Sequence, residues 1–268
     1  MSRLGILAGQ GALPQLIAAR HPDALFVHFV GLEIDLPGNE TFETSYERFG
    51  EMFAGLKNAD VTEVVFAGGL ARPALTPANF DAKMMQLAPR FMAAMQGGDD
   101  ALLRAVIAAF EEDGFTVRGA HEVLPELTIV AAPVTSSPPS DALELDAARA
   151  REILEALGPL DVAQACVVAN GVCLGIETAQ GTEAMLRFVA ETRGGLRTAT
   201  GGVLVKRRKP GQDLRIDMPT IGPDTVTQAH AAGLKGISVQ AGGVIVLDQP
   251  RIQELCEKTG IVLWGTEE

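Results

Sequence analysis

Short apolar runs that end in glycine restrict the fold of this chain more than any other sequence feature. The run Leu4–Ala8 is followed by Gly9, and the run Val61–Ala67 is followed by Gly68-Gly69. Pro14 follows the first run at a position typical of a first helical turn. Strands that alternate with helices form a mostly parallel sheet with helices on both faces. The first half of the chain therefore predicts an α/β domain with a Rossmann-like parallel sheet.

A segment rich in proline and hydroxyl residues separates this half from a different pattern. Pro133–Ser140 holds three prolines and four Ser or Thr residues, which interrupt both helices and central strands. Beyond it, Gln164–Ala169 and Val172–Glu177 are β-rich runs joined by Asn170-Gly171, the preferred type I′ hairpin turn. We predict an N-terminal domain over residues 1–133, a Pro/Ser-rich linker over 134–140 and a C-terminal mixed α/β domain over 141–268.

Charge and composition exclude several classes of function. The net charge of −12 disfavours binding to nucleic acid or anionic lipid, and aromatic residues, at 5%, are too few for a surface that stacks bases. No window approaches the roughly 18 apolar residues of a membrane span. Cys166, Cys173 and Cys256 lack a CxxC spacing, which fits a reducing compartment. We expect a cytoplasmic protein whose three cysteines are buried and inert.

The glycine loop after the first strand is a candidate anion site. Gly9-Gln10-Gly11-Ala12 would direct backbone N–H groups at a ligand from the N-terminus of the first helix. Pro14 replaces the third glycine of a dinucleotide fingerprint, whereas Glu33 has the spacing of a ribose-binding acid. The loop alone leaves three interpretations open: a nicotinamide dinucleotide site, a site for another ligand, and a plain tight turn.

Three other loops hold polar residues at the ends of predicted elements. For Gly97-Gly98-Asp99-Asp100 two interpretations remain open. The loop provides only a helix N-cap, or one Asp caps the helix while the other binds a hydroxyl group or a metal-bound water. His121-Glu122 follows a strand, and it forms either a local hydrogen-bonding feature or part of a site. Glu177 and Thr182 lie where the hairpin runs into a helix. For these two, an anion site, a second metal carboxylate and a simple helix cap by Thr182 all remain open.

The segment from Lys206 to Asp217 is the strongest local anomaly. It holds five basic residues and two acids in a protein whose net charge is strongly negative. Arg and Lys bind phosphate oxygens, and Asp is a natural ligand of Mg²⁺, which takes one or two carboxylates plus substrate phosphates. Pro210-Gly211 and the apolar residues Leu214 and Ile216 favour an ordered, partly buried loop over a solvated run of charges. We therefore predict a phosphate and metal site here.

Several long motifs in a fixed order also carry a family resemblance that covers nearly the whole chain. They are Leu7-Ala8-Gly9-x-Gly11-x-Leu13-Pro14, Gly98-Asp99-Asp100-x-Leu102-Leu103-Arg104, Gly119-Ala120-His121-Glu122, Glu177-x-x-x-Gly181-Thr182-x-Ala184-Met185-Leu186-Arg187, Lys206-x-x-Lys209-Pro210-x-Gln212-Asp213-x-Arg215-x-Asp217-x-Pro219-Thr220-Ile221-Gly222 and Ala241-Gly242. Together they resemble the LpxI-type UDP-2,3-diacylglucosamine pyrophosphatases. Gln180 and Glu183 depart from that pattern, since the family often has Glu and Asp at these places.

The resemblance implies a metal-dependent hydrolase of lipid A synthesis. Such an enzyme splits the pyrophosphate of UDP-2,3-diacylglucosamine into 2,3-diacylglucosamine 1-phosphate and UMP, with two domains enclosing the substrate. The resemblance implies Asp217, Lys206, Lys209 and Arg215 as catalytic groups, with Asp217 as ligand of Mg²⁺ or another divalent metal. Together with the loop patterns, it predicts Glu177 as a further metal ligand. The predicted substrate-binding residues are Gly9, Gln10, Gly11, Ala12, Asp99, Asp100, His121, Thr182, Gln212 and Thr220.

Two other functions remain alternatives at this point. One is a nicotinamide-dependent oxidoreductase that uses the glycine loop, and the other is a non-catalytic carrier of acylated nucleotide-sugars. We expect a homodimer, as is common for soluble enzymes. A lipid substrate would also bring the protein into transient contact with the inner face of the membrane.

Overall fold

A computed structural model describes residues 2–69, 75–97, 99–195 and 201–267. For Asp99 it describes the backbone only. Contacts divide the chain into two units. Unit 1 comprises Met1–Pro125 together with Asp213–Asp217, and unit 2 comprises Glu126–Gln212 and Met218–Glu268.

Unit 1 is built on a five-stranded sheet in which all neighbouring strands are parallel. Its elements are β1 (Arg3–Ala8), α1 (Leu13–Arg20), β2 (Leu25–Phe29), β3 (Thr41–Thr44), α2 (Phe49–Asn58), β4 (Val61–Ala67), α3 (Ala82–Met95), α4 (Asp99–Glu112), β5 (Thr116–Arg118) and α5 (Ala120–Val123). The strand order is β3-β2-β1-β4-β5. This arrangement confirms the predicted Rossmann-like parallel sheet.

Aromatic side chains fill much of the core of unit 1. Phe110 of α4 contacts the rings of Phe49, Phe53, Phe66 and Phe115 with centroid separations between 4.9 and 6.2 Å. The contacts are edge-to-face or tilted, which is the favoured arrangement of aromatic rings. The few aromatic residues of the chain are therefore concentrated where α2 and α4 cover the sheet.

Unit 2 is built on a mixed sheet. Its elements are α6 (Asp141–Leu157), β6 (Ala165–Ala169), β7 (Val172–Ile176), α7 (Gly181–Thr192), β8 (Val203–Lys206), β9 (Thr220–Ile221), α8 (Pro223–Ala231), β10 (Gly236–Gln240), β11 (Ile245–Val246), α9 (Gln249–Thr259) and β12 (Val262–Thr266). The strand order is β12-β10-β8-β6-β7, and β9 pairs with β11 in a separate parallel ladder. The first three strands of the sheet are parallel, whereas β6 is antiparallel to both of its neighbours. The predicted mixed α/β domain is confirmed.

Helix α6 shows how local sequence and packing combine in unit 2. The Ser140 hydroxyl accepts a hydrogen bond from the backbone N–H of Leu143 at the start of the helix. Leu143, Ala147, Ala150 and Leu154 form its buried stripe, which packs on the sheet beside Trp264. The helix therefore covers one face of the sheet over strands β6 and β8.

Short 3-10 segments lie at Pro77–Asn79, Pro125–Leu127, Gly158–Leu160 and Arg193–Gly195. None of the helices in the described ranges combines the length and the hydrophobicity that crossing a membrane requires.

Candidate functional site

A buried lysine at the end of strand β8 is the centre of the predicted site in unit 2. The Lys206 side chain is 9% exposed, and its Nζ donates to Thr182 Oγ1 over 2.7 Å. The same hydroxyl donates to Glu177 Oε1, which lies 3.9 Å from the Lys206 Nζ. A lysine, a threonine and a carboxylate thus form one hydrogen-bonded relay that neutralises a buried charge.

The sheet explains why these three residues meet. Lys206 is directly opposite Ala165 in the antiparallel β6–β8 ladder, and the backbone N–H of Glu177 donates to the Ala165 carbonyl over 2.9 Å. Glu177 Oε2 also accepts from the backbone N–H of Gln164 over 3.2 Å. Three segments that are distant in sequence therefore converge on one strand end.

Thr182 is not the cap that the sequence pattern suggested. Helix α7 begins at Gly181, its N-cap residue is Gln180, and no side chain caps it. Because the Thr182 hydroxyl lies between Lys206 and Glu177, the helix-capping interpretation is wrong. A role of Thr182 at the substrate stays a prediction.

The loop after Lys206 is ordered by its own side chains. The backbone N–H of Lys209 donates to Gln212 Oε1 over 3.1 Å, and the backbone N–H of Gln212 donates to the Lys209 carbonyl over 3.2 Å. The Lys209 ammonium pairs with Asp161 at 2.5 Å. Gln212, a predicted substrate residue, is buried, and its two hydrogen bonds with Lys209 hold the turn closed.

The two arginines between the lysines are tied to neighbouring residues, Arg207 by its side chain and Arg208 by its backbone. Arg207 is 14% exposed and pairs with Glu155 at 2.8 Å. The backbone N–H of Arg208 donates to the side chain of buried Gln240 over 3.2 Å. Both residues therefore contribute to the order of the loop.

The next five residues, Asp213–Asp217, belong to unit 1 by contact. Arg215 donates to both carboxylate oxygens of Asp213 and, over 2.6 Å, to Glu111 of α4. These hydrogen bonds from the guanidinium hold the pKa of Asp213 below its ordinary value and raise that of Arg215. Ile216 packs against the aromatic core, so Asp217 follows a residue anchored in unit 1. The Asp217 side chain is half-buried.

Two other predicted residues of unit 1 lie on α4 and α5. Asp100 pairs with Arg104 one helical turn later at 2.7 Å. His121 packs so closely on Gly119 that a Cβ added to the glycine would lie 2.5 Å from the imidazole Cε1 and 3.4 Å from the Arg215 Cα. Within the described residues, the buried Nδ1 of His121 has no hydrogen-bond partner. Gly98 and the Asp99 side chain lie outside the described residues, so their predicted roles stay predictions.

In the glycine loop after β1, the first two residues are hydrogen-bonded within the protein, whereas the last two line a cavity. Gly9 and Gln10 donate their backbone N–H groups to Ala67 and Gly69 over 2.7 and 2.8 Å, and the Gly69 N–H returns a hydrogen bond to Gln10. A Cβ on Gly68 would lie 2.4 Å from the Gln10 carbonyl oxygen, so this backbone approach requires glycine. The backbone N–H groups of Gly9 and Gln10 are therefore hydrogen-bonded to the end of β4 and to the loop that follows it.

Gly11 and Ala12 instead line a cavity of about 760 Å³ at the start of α1. Gln15, Glu33 and Asp35 contribute to the same cavity. Within the described ranges no lysine or arginine lines it. Two carboxylates without a cation favour a ligand with hydroxyl donors over a phosphate at this place.

Thr220 lies in β9, where its hydroxyl donates to the Met218 carbonyl over 3.1 Å. This hydrogen bond fixes the local turn after the Asp213–Asp217 segment. Its predicted contact with substrate stays a prediction.

The predicted metal ligands differ in how their oxygens are used. Both oxygens of Glu177 already accept hydrogen bonds, and a lysine ammonium lies beside them. A cation at Glu177 would therefore be repelled by Lys206. Among the described residues, no three His, Cys, Asp or Glu side chains are grouped so that they could hold a metal ion. Asp217 offers a half-buried carboxylate of the kind that Mg²⁺ prefers, whereas Glu177 fits a metal poorly.

Two family matches cover almost the whole chain. Residues 3–127 match the LpxI N-terminal domain and residues 131–264 match the LpxI C-terminal domain. The chain belongs to the LpxI family. It is also 34% identical over 276 aligned positions to the UDP-2,3-diacylglucosamine pyrophosphatase LpxI of Caulobacter vibrioides, an alignment that covers 100% of this chain and 98% of that relative.

The LpxI domain limits and the contacts divide the chain differently at two places. Glu126 and Leu127 lie within the match to the LpxI N-terminal domain, yet their contacts assign them to unit 2. Asp213–Asp217 lies within the match to the LpxI C-terminal domain, yet its contacts assign it to unit 1. Lys206 and Lys209 are therefore described with unit 2, and Arg215 and Asp217 with unit 1.

Proposed function

We propose that this chain hydrolyses the pyrophosphate of UDP-2,3-diacylglucosamine to 2,3-diacylglucosamine 1-phosphate and UMP with the help of a divalent metal. The full-length similarity to a protein of that name carries the proposal, because the alignment leaves no domain of either chain unmatched. The buried cation at Lys206 and the carboxylate at Asp217 supply the residue types that pyrophosphate hydrolysis needs.

Lys206 is the proposed electrostatic group for a phosphoryl oxygen. It is fixed at the end of a strand by Thr182 and Glu177, so its charge is positioned before any ligand arrives. Such preorganised charge stabilises a transition state more than a mobile surface lysine does. Glu177 is better suited to position Lys206 than to bind metal, since both of its oxygens are engaged. Lys209, held by Asp161 and the Gln212 turn, is the second proposed phosphate group.

Asp217 is the proposed metal ligand. A bound Mg²⁺ would polarise a phosphoryl oxygen and place or activate the attacking water. Since Mg²⁺ commonly uses one or two carboxylates plus substrate phosphates and water, a single protein carboxylate is sufficient for this role. Arg215 anchors the segment through Asp213 and Glu111, which supports a positioning role beside its predicted charge-stabilising one.

The cavity at Gly11 and Ala12 is the proposed site for the sugar of the nucleotide. Glu33 and Asp35 present carboxylate oxygens that accept hydrogen bonds from hydroxyl groups. Glu33 also has the spacing of a ribose-binding acid after the second strand. Ribose hydroxyls satisfy these acceptors without bringing negative charge next to them.

Release of UMP from UDP-2,3-diacylglucosamine in the presence of Mg²⁺ tests the proposal. We expect activity in the native chain, its loss on chelation of the metal, and a fall of at least about 100-fold in the Asp217→Asn variant. Asp224→Asn, an exposed acid on α8, is the matched control and should retain activity. Native protein that releases no UMP would refute the hydrolase.

The alternatives separate in the same assay. A carrier would bind the acylated nucleotide-sugar without releasing UMP. A nicotinamide-dependent oxidoreductase would bind NAD(H) tightly and would not depend on the metal. Full activity of Asp217→Asn would leave the hydrolase intact and reject the metal role of that residue.

A further inference from the structure

Two cysteines of the β6–β7 hairpin lie within reach of each other. Cys166 is buried on β6, whereas Cys173 is exposed on β7, the strand at one end of the sheet. Their sulfur atoms are 3.8 Å apart. The expectation that all three cysteines are buried is therefore wrong for Cys173, while Cys256 is buried as expected.

The hairpin register explains this proximity. Val168 is opposite Cys173, but Cys166 is opposite Ile176, because the ladder shifts between Val167 and Val168. Side chains two residues apart on a strand share a face, so Cys166, Val168 and Cys173 project to the same side of the sheet. The two thiols are therefore diagonal neighbours across the two strands.

The surroundings make the two thiols unequal. The hydrogen bond with Cys173 and burial raise the pKa of the Cys166 thiol. The hydrogen bond from Cys166, with help from the charge of Arg149 on α6, lowers the pKa of Cys173 to about 6. An exposed thiolate beside a protonated, buried thiol is the arrangement of an attacking and a resolving cysteine.

We propose that Cys173 and Cys166 form a dithiol modification site that hydroperoxides convert to an intramolecular disulfide. This site is separate from the proposed hydrolase activity and does not depend on it. The exposed position of Cys173 admits the oxidant, and the 3.8 Å separation lets the second thiol capture the product before further oxidation.

The chemistry proceeds in two balanced steps. The Cys173 thiolate attacks an oxygen of the hydroperoxide, so that an S–O bond forms, the O–O bond breaks and the leaving oxygen takes a proton. The Cys166 sulfur then attacks the sulfenic acid, so that an S–S bond forms, the S–O bond breaks and water leaves with the thiol proton. Two thiols lose two electrons in total, and the hydroperoxide gains them.

Hydrogen peroxide treatment of the full chain followed by trypsin tests the site. Glu152–Arg187 contains no internal lysine or arginine, so both cysteines fall in one peptide, whereas Cys256 falls in Ile252–Lys258. We expect the first peptide to become lighter by two hydrogen atoms, to resist fragmentation between the two cysteines, and to revert on reduction with dithiothreitol. Addition of oxygen to this peptide without the link, a disulfide between two chains, or an unchanged peptide would overturn the proposal.

Variants separate the two roles. Cys173→Ser changes an exposed residue and should abolish the mass change, whereas Cys166→Ala should leave Cys173 to accumulate oxygen or to pair between chains. Cys256→Ser is the matched control and should form the disulfide like the native chain, because burial raises the pKa of Cys256 to about 11 and keeps it unreactive. A disulfide that still forms within the chain in Cys173→Ser would refute the pairing.

Discussion

Lys206 shows how one residue combines burial with charge. Its side chain is almost fully enclosed, and the ammonium donates to Thr182 and lies beside the Glu177 carboxylate. A buried charge is tolerated only when it is paired and hydrogen-bonded. Placing a cation at the end of β8 therefore costs free energy of desolvation. A purely structural residue at this position would not need to be charged.

The substitution Lys206→Met should separate stability from activity. We expect it to lower the free energy of unfolding by about 1–3 kcal/mol, because Glu177 is left buried without its cation. Activity should fall at least about 100-fold through loss of a preorganised charge. Adding Glu177→Gln should restore most of the stability but none of the activity, as measured by urea denaturation and UMP release.

Lys258→Met on the exposed face of α9 is the control for this pair of variants, and it should change neither quantity appreciably. Recovery of activity in the double variant would contradict the proposed role of Lys206 at the phosphate.

At the scale of elements, helix α6 and the β6–β7 hairpin depend on one carboxylate. Asp146 is 6% exposed, and its two oxygens accept from the backbone N–H groups of Asn170 and Gly171 at 3.0 and 2.7 Å. Both turn residues have positive φ, at 51° and 76°, as a type I′ turn demands. The helix thereby fixes the turn of the hairpin that delivers Glu177 and carries both thiols.

Asp146→Ala should destabilise unit 2 by about 2–3 kcal/mol, because two backbone donors lose a charged acceptor. Urea denaturation followed by the fluorescence of Trp264, the one tryptophan of the chain, measures this effect in the unit concerned. Glu152→Ala removes an exposed acid of the same helix that pairs with Arg149, and it should cost about 0.5 kcal/mol or less. Equal effects of the two substitutions would contradict the assignment.

At the scale of the whole molecule, each unit carries its own spectroscopic residue. Trp264 is buried in unit 2, and Tyr46, the one tyrosine, stacks on Phe29 of unit 1 with ring centroids 4.1 Å apart. Burial raises the pKa of Tyr46 to about 12. Because a tyrosine in unfolded chain titrates near 10, the folded form of unit 1 binds the phenolic proton more tightly.

The stability contributed by this proton is fully present below about pH 10 and is lost as the pH rises toward about 12. Absorbance titration should give a tyrosinate midpoint near 12 in native protein and near 10 in denaturant. In Tyr46→Phe the alkaline loss of stability attributable to this group should disappear. A native midpoint near 10 would show that the ring is not protected.

Element prediction succeeded where signals were local and failed where they were not. Val61–Ala67 has the predicted bounds, because an apolar run that ends in glycine is a local signal for a buried strand. Helices α2 and α3 and strand β3 were not predicted. The spacing of Phe49, Met52, Phe53 and Leu56 is a helical signal for α2, whereas Pro89 inside α3 is an ordinary sign of interruption.

The sequence by itself determined the alternation of elements, the hairpin turn and the concentration of charge from Lys206 to Asp217, because these depend on neighbours along the chain. Only the tertiary structure decided how those groups are used. Arg215 is held by Glu111, 104 residues away, and Gln10 is paired with Gly69, so a guanidinium and a loop N–H acquire structural partners. Such partners depend on which strand ends and helices are adjacent in the folded protein. The local sequence does not predict that adjacency.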